Sequence, residues 1–396
     1  VRVEKSGLAV LLARKSTRSQ VHSLARLACR LCKLYHRPMK SSLSIYAGPT
    51  ARAQLLEQGV TAAQFKVMVG ASGGPKWFVL YGLDRYLFGD FLQRRTEPLL
   101  TLGSSAGAWR MCCLATADPV AAIERLAKLY SEEQYSDTPT QLEITLKAEA
   151  MLAGMLGPTG AAEIAANTAI HTTIVADRSR GFGSSKRKSL QTAALGFAAL
   201  ANVFSRRSLS LFFERTLFST QGEESPWRAA NDLRTTLVPL RQNNVMQAMM
   251  ATGAIPYVLE GVRDIPGAPR GLYWDGGMTD YHFDMDFHAG DGLVLYPHFS
   301  SEVIPGWFDK PLSWRQVHAH HFDRVVLVTP SKEFVASLPN GKIPDRKDFE
   351  TLAADERVRC WREVLQASER LAEDFSQLVD SGIGLDRIRP FSERDR

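Results

Sequence analysis

Short apolar runs alternate with segments of helical spacing from about residue 62 onward. The runs are rich in β-branched and aromatic residues, as buried strands are, and the intervening segments repeat apolar residues every three to four positions. Because strands alternate with helices, the pattern predicts an α/β fold in which helices cover both faces of a mostly parallel sheet. Six strands are predicted, at 65–70, 98–103, 171–177, 271–277, 291–299 and 323–330.

Longer stretches between these runs have the spacing of helices. Residues 119–167 and 226–251 are predicted to be helical, and 350–381 has the pattern of one amphipathic helix on the outside of the sheet. Because the sequence has no internal repeat and no long linker, we expect a single elaborated domain over 60–335. A helical segment, 336–396, is expected to lie against the same domain.

Residues 178–220 combine a basic glycine- and serine-rich start with an apolar continuation that contains scattered arginines. Two interpretations stay open. The segment is a loop leading into a buried helix pair, or it is a lid that touches acyl chains and lipid phosphates, which predicts transient contact with a membrane surface. No run of about 18 uninterrupted apolar residues occurs, so we expect no membrane-spanning helix.

Composition is that of a globular protein, with 45% hydrophobic and 23% charged residues among 396. The formal charge of +6 is concentrated at one end of the sequence. Residues 1–38 contain nine Lys or Arg and one acidic residue, so the rest of the chain carries a net charge of −2. A near-neutral body gives no reason to infer nucleic-acid binding.

Residues 1–38 precede the first methionine, Met39. We expect this basic extension to be disordered or not native; a targeting arm and an ordered helix are the alternatives. Its Cys29 and Cys32 form a single CxxC, which without a second pair is a weak zinc or redox motif. The low cysteine content fits a reducing compartment, so we expect a cytoplasmic location, with peripheral association at a membrane surface left open.

The sequence Gly103-Ser104-Ser105-Ala106-Gly107 fits the pattern G-x-S-x-G between a predicted strand and a predicted helix. Glycines at both ends allow a sharp turn in which a larger side chain would clash. Ser105 is then held at a helix N-terminus, where amide groups favour negative charge. This context predicts a nucleophile elbow, with an ordinary strand–helix turn as the alternative.

A second glycine-rich turn, residues 70–76, also joins a predicted strand to a helix and reads GASGGPK. Such turns expose amides that can hold a phosphate or an oxyanion. Pro75 before Lys76 and Trp77 after it do not fit a P-loop, and the spacing does not fit a dinucleotide fingerprint. An oxyanion hole is the functional interpretation that remains, beside a plain tight turn.

The third motif is Asp275-Gly276-Gly277, at the end of a predicted strand. A glycine loop, then G-x-S-x-G, then D-G-G, in this order, resembles the patatin-like phospholipases over roughly residues 65–285. Residues 250–262, MATGAIPYVLEGV, are also similar to the family's segment before its aspartate. The resemblance implies a patatin-like three-layer α/β/α sandwich with helical insertions and a serine–aspartate dyad that acts without histidine.

Mapped onto this chain, the resemblance implies Ser105 as nucleophile and Asp275 as base, with Gly103 and Gly107 as the elbow glycines. The oxyanion would be held by amides of Gly73, Gly74 and Lys76. The chain would act on a lipid or another acyl ester through an acyl-enzyme, without metal or cofactor. The loop departs from the family's G-G-G-x-[RK]-G: Ser72 replaces the first glycine and Trp77 the last, while Pro75 has no N–H to donate.

Two other functions compete with this one. An α/β-hydrolase triad would join Ser105 and an aspartate to one of the later histidines, His282, His288, His298, His318, His320 and His321. A non-catalytic lipid-binding protein on a patatin-like body is the other alternative, because the glycine loop is altered. Within the motif His318-Ala319-His320-His321, alternate histidines on a strand could share a metal, but we expect surface or packed side chains.

Overall fold

A computed structural model describes residues 41–394 of the chain, and an 11-stranded sheet forms the centre of this part. The predictions for residues 1–38, including Cys29 and Cys32, lie outside the described residues. The strands are β1 (Leu43–Ala47), β2 (Phe65–Gly70), β3 (Leu99–Ser104), β4 (Ile170–Ser179), β5 (Phe213–Ser219), β6 (Thr235–Pro239), β7 (Val262–Arg263), β8 (Leu272–Asp275), β9 (Leu293–Pro297), β10 (Val325–Pro330) and β11 (Arg389–Pro390).

The strand order is β11-β1-β10-β9-β2-β3-β4-β5-β6. From β10 to β4 the neighbouring strands run parallel, whereas β1 on β10 and β5 on β4 are antiparallel. Strand β8 lies antiparallel to β4, and β7 pairs with β8. The central strands are buried almost throughout, as parallel strands covered by helices must be.

Helices flank this sheet. They are α1 (Pro49–Gln58), α2 (Tyr81–Gly89), α3 (Ala106–Leu114), α4 (Pro119–Ser131), α5 (Gln141–Leu156), α6 (Gly160–Ala166), α7 (Lys188–Phe204), α8 (Val245–Gly253), α9 (Lys332–Ala336), α10 (Asp348–Thr351), α11 (Ala354–Ala367) and α12 (Glu369–Ser381). The predicted α/β class with a mostly parallel sheet is confirmed. No helix within residues 41–394 is both long and apolar enough to cross a bilayer.

All six predicted strands are present, but the helix prediction for 226–251 was wrong over most of its length. A short 3₁₀ turn at Pro226–Ala229 leads to strand β6, and the helix α8 begins only at Val245. Strand β6 has the sequence TTLVP, whose β-branched residues pair in parallel with β5. Helix-forming residues on both sides concealed this short strand.

The predicted helix 350–381 is broken into α11 and α12 at Ser368. The Ser368 hydroxyl accepts a hydrogen bond of 2.8 Å from the Gly82 amide of α2, and a Cβ at Gly82 would lie 2.6 Å from the Glu369 backbone. This close approach of α2 fixes the break.

The interpretation of 178–220 as a loop before a buried helix pair is also wrong. The segment contains one helix, α7, then a 3₁₀ turn at Arg206–Leu211 and the fully buried strand β5. One side of α7 is exposed and carries large apolar side chains.

Two strands end facing each other beside β4. In the parallel ladder Ser104 of β3 lies opposite Val175, and in the antiparallel ladder Asp275 of β8 lies opposite Ala176. Because β3 and β8 run in opposite directions along β4, their carboxyl ends meet at adjacent positions. The topology therefore brings Ser105, the residue after Ser104, next to Asp275, although the two are 170 positions apart in the sequence.

Candidate active site

Ser105 lies at the junction of β3 and α3 with φ 54° and ψ −133°. A non-glycine residue with positive φ is strained, and such strain persists only where the surroundings impose it. Here the surroundings are tight: a Cβ on Gly107 would collide with the carbonyl of Gly70, and a Cβ on Gly103 would lie 2.5 Å from Ala108 Cα. The two glycines thus allow the sharp turn that presents Ser105 above the sheet.

The Ser105 hydroxyl donates a hydrogen bond of 2.7 Å to Asp275 Oδ2. The other carboxylate oxygen, Oδ1, accepts from the Gly277 amide at 2.7 Å. Both side chains are buried, with residue exposures of 5% for Ser105 and 6% for Asp275. The serine and the aspartate selected from their motifs are therefore in direct contact.

Burial raises the pKa of Asp275 from 3.8 to about 6. The hydrogen bonds from Ser105 and Gly277 oppose this effect, as do the more distant charges of Arg346 and Lys310. A carboxyl group with a pKa near 6 is ionised at neutral pH yet is a stronger base than an ordinary aspartate. It can accept the proton of a neighbouring hydroxyl.

The sequence analysis missed Thr252, a buried residue near the end of α8. Its hydroxyl accepts a 2.8 Å hydrogen bond from the Ser105 amide and donates to the carbonyl of Val175. Thr252 thereby ties the strained elbow to β4. The only signal was a polar residue at the end of a mostly apolar segment, and that signal does not indicate which residue it contacts.

The glycine loop is anchored to the same elbow. Ser72 donates its hydroxyl to Ser104 Oγ at 2.8 Å, and its amide donates to the Tyr281 carbonyl at 2.9 Å. A Cβ on Gly277 would lie 2.5 Å from Ser72 Oγ, so the loop and the D-G-G turn are in close contact. The serine that replaces the family's first glycine is thus part of this connection.

The three predicted oxyanion donors differ in their surroundings. Among residues 41–394, no acceptor meets the amide of Gly73 or Gly74, whereas the Lys76 amide points at the Gly73 carbonyl at 3.4 Å. Within the same part of the chain the Ala106 amide, at the start of α3, also lacks an acceptor. Three amides without an acceptor are thus available, two in the glycine loop and one at the start of α3, directly after Ser105.

Three cations surround the dyad without a carboxylate of the described residues within 4.0 Å of any of them. Lys310 Nζ lies 3.7 Å from the centre of the Tyr281 ring, and Lys76 Nζ lies 5.2 Å from that of Phe299. Arg346 lies beside Gly74, whose Cβ would be 3.5 Å from the arginine side chain. Asp345 and Glu302 act on Lys76 from farther away and raise its pKa, so the three cations leave the mouth of the site with a small positive excess.

The like charges of these cations affect one another. Desolvation, followed by repulsion from Lys76 and Arg346, lowers the pKa of Lys310 to about 7, although its side chain still reaches solvent. Desolvation also lowers the pKa of Lys76. An anion bound among them would relieve this repulsion.

The later histidines lie elsewhere, and none within residues 41–394 hydrogen-bonds Ser105 or Asp275. His282 Nδ1 accepts from the Ile304 amide at 2.9 Å, and His298 Nδ1 accepts from the Ser300 amide at 2.9 Å. The alternative in which His318 and His320 share one face of a strand does not apply, because the segment forms a 3₁₀ turn at Ala319–Phe322.

Comparison with known proteins gives a match to one family model. The model described as "Patatin-like phospholipase" matches residues 83–283. Among solved structures, the crystal structure of VipD from Legionella pneumophila is similar at 12% identity and a TM-score of 0.34, over 85% of this chain and 72% of VipD. Curated protein sequences give no significant match. The chain belongs to the patatin-like phospholipase family, a family of lipid acyl hydrolases.

Proposed function

We propose that this protein is a serine lipid acyl hydrolase of the phospholipase A or esterase type that uses a Ser105–Asp275 dyad. The observation that carries the proposal is the 2.7 Å hydrogen bond from a strained elbow serine to a buried carboxylate, with no histidine between them. The carboxylate has the properties of a base, and the serine those of the nucleophile that it activates.

The reaction begins when Ser105 Oγ attacks the ester carbonyl carbon and passes its proton to Asp275. Collapse of the tetrahedral intermediate breaks the ester bond, and the protonated Asp275 gives the proton to the leaving alcohol. Water then attacks the acyl-enzyme with Asp275 again as base, which releases the fatty acid and restores Ser105.

Amides of the glycine loop are assigned to the oxyanion. Gly73 and Gly74 have amides free for this role, Lys76 is the third donor expected from the family pattern, and Ala106 could replace it. Each such donor contributes about 3 kcal/mol of transition-state stabilisation. A complete hole would therefore not require the family's original glycines.

A histidine triad is the competing mechanism, and it needs an imidazole next to Ser105. Within the described chain the six candidate histidines have other partners or lie apart from the dyad, which favours aspartate as the direct base. Replacing each histidine in turn with Gln separates the two mechanisms. Loss of hydrolysis in one histidine variant, with retention in Asp275→Asn, would establish the triad instead.

The electropositive mouth supports an acyl ester that carries a negative charge near the scissile bond. Lys310→Met should then raise KM about tenfold for phosphatidylglycerol and leave KM unchanged for a neutral monoacylglycerol. Lys128→Met, which removes an exposed lysine from α4, is the matched control. Equal effects on both lipids would contradict this substrate preference.

We also propose contact with a membrane surface through 178–220. Phe197, Leu200 and Phe204 share one face of α7 and are 57%, 60% and 83% exposed, while Ala194 and Ala198 face the core. Lys186, Arg187 and Lys188 at the start of the helix complement anionic headgroups.

Sedimentation with anionic vesicles tests this contact. The Phe197→Asp/Leu200→Asp variant should lose most of its vesicle binding, because two charges would enter the apolar interface. A matched control is Leu142→Asp/Leu146→Asp on α5, where the leucines are 53% and 55% exposed. If both variants lose binding equally, α7 is not the contact.

The function itself is tested by a fluorophosphonate probe and a panel of lipid classes. The wild type should be labelled covalently and release fatty acid from at least one class, and Ser105→Ala should do neither while keeping its melting temperature. A folded wild type that is neither labelled nor active would favour the non-catalytic lipid-binding alternative.

A further inference from the structure

Asp284, His318 and His321 form a compact cluster away from the dyad. His318 Nδ1 lies 2.8 Å from Asp284 Oδ2, and His321 Nδ1 lies 2.8 Å from Asp284 Oδ1. One possible ligand atom from each of the three residues lies within 4.8 Å of the other two. Two imidazole nitrogens and one carboxylate oxygen are a donor set that suits zinc and similar divalent ions.

The scaffold of the cluster is fixed independently of the imidazole rings. The His318 amide donates a 2.9 Å hydrogen bond to Asp284 Oδ1, which joins the loop after the D-G-G turn to the segment before β10. Asp284 is only 5% exposed. Because the backbone holds the carboxylate in place, an ion would meet a preorganised ligand.

The close partners of Asp284 within residues 41–394 also include no permanently charged cation. Within residues 41–394, no Lys or Arg lies within 4.0 Å of this carboxylate, so its close partners are the two imidazoles and one amide. Buried carboxylates normally pair with a cation or a metal. An ion could enter from solvent, since the His318 side chain is 68% exposed. A further imidazole lies close by, because the centroid of the His320 ring is 4.1 Å from that of His321.

We propose that Asp284, His318 and His321 bind one divalent transition-metal ion of the zinc class, with water or His320 completing the coordination. On binding, the proton on each Nδ1 moves to Nε2 of the same ring, so both imidazoles stay neutral and present a lone pair to the ion. Tetrahedral zinc with bonds near 2.0–2.2 Å holds its ligand atoms about 3.3 Å apart. Each of the two 2.8 Å distances between an imidazole nitrogen and a carboxylate oxygen would therefore lengthen by about 0.5 Å. The ion would join the loop after the D-G-G turn to the segment before β10.

Equilibrium dialysis of the full chain against Zn²⁺ tests the site. We expect one ion per wild-type chain and an at least tenfold weaker affinity in His318→Gln/His321→Gln. The control His288→Asn removes a histidine 3.6 Å from a single carboxylate, Asp286, and should bind as the wild type does. Asparagine suits this position because His288 has φ 51°.

A Cys29→Ser/Cys32→Ser variant separates this site from the CxxC motif and should retain the ion. The melting temperature should rise with Zn²⁺ in the wild type but not in the double histidine variant, with each protein compared with its own metal-free form. Should the double variant fail to fold, His318→Gln alone, at an exposed position, replaces it. No bound ion in the wild type, a loss under tenfold in the histidine variant, or loss in the cysteine variant would overturn the proposal.

Discussion

Asp275 and Asp280 are buried carboxylates only five residues apart, yet their surroundings differ completely. Asp280 is held by Arg215, which donates from Nε at 2.6 Å and from a terminal nitrogen at 2.9 Å. Arg206 and the Thr279 hydroxyl add further hydrogen bonds. Asp275 has no cation within 4.0 Å among the described residues and accepts only from Ser105 and Gly277.

This difference separates a carboxylate held in ion pairs from the one that is proposed to react. A bidentate arginine satisfies Asp280 and locks the turn after β8 against β5. Asp275 instead bears the unfavourable effect of burial, which raises its pKa, and its partner is the hydroxyl that it is proposed to deprotonate. Within one turn, the carboxylate without a cation is the one suited to proton transfer.

The largest expected effect comes from Asp275→Asn. An amide cannot accept the serine proton, so hydrolysis should fall about 10⁴-fold while the fold is retained. Steady-state assays on the preferred lipid measure this loss, with Ser105→Ala as the reference for complete inactivation. Retention of more than a tenth of wild-type activity would remove Asp275 from the mechanism.

Asp280→Asn should have the opposite profile. The substitution removes the charge-assisted hydrogen bonds from Arg215, which keeps Asp232 as its remaining carboxylate partner, and should lower the free energy of unfolding by about 2–3 kcal/mol. Urea denaturation at pH 8 measures this change. If Asp275→Asn destabilised the protein as much as Asp280→Asn does, the contrast between the two carboxylates would be wrong.

A pH series sharpens the contrast. Because the pKa of Asp275 is raised to about 6 in the folded state from 3.8, the folded protein binds its proton more tightly than the unfolded chain does. Wild-type stability should therefore fall relative to Asp275→Asn as pH rises from 4 to 8, by about 2.4 kcal/mol, with most of the change below pH 6. Unfolding of both proteins at pH 4 and pH 8 gives this difference, and a constant difference would contradict it.

The smallest effect is expected at Thr252. Thr252→Val leaves the Ser105 amide and the Val175 carbonyl without their hydroxyl partner, which should cost about 2 kcal/mol of stability. Turnover should fall about tenfold because the elbow is less firmly positioned. Thr252→Ser restores the hydroxyl and should recover both properties; if it does not, the side chain acts by shape alone.

Local patterns in the sequence predicted what depends on local physics. The strand runs and the glycines around Ser105 and Asp275 are short-range features, because sharp turns and buried strands restrict residue types within a few positions. Strand β6 was missed because its five residues lie between helix-forming stretches. Strand β1, LSIYA, was also missed.

Partners brought in from distant segments could not be predicted in this way. Nothing near Arg215 indicates that it pairs with Asp280, 65 residues later, and nothing near Thr252 indicates the Ser105 amide. Arg346 and Lys310 likewise reach the mouth of the site from segments beyond residue 300. These contacts depend on how strands and loops are placed in the fold, which no local periodicity encodes.

The central claim, that Asp275 is the base for Ser105, is tested most directly by the pH dependence of acylation. Single-turnover release of p-nitrophenol from a short acyl ester should increase about tenfold per pH unit below 6 and level off above it, because only ionised Asp275 accepts the proton. In Asp275→Asn the acylation should be about 10⁴-fold slower and lack this transition. A transition near pH 6 that persists in Asp275→Asn, or that disappears on replacing a histidine, would contradict the claim.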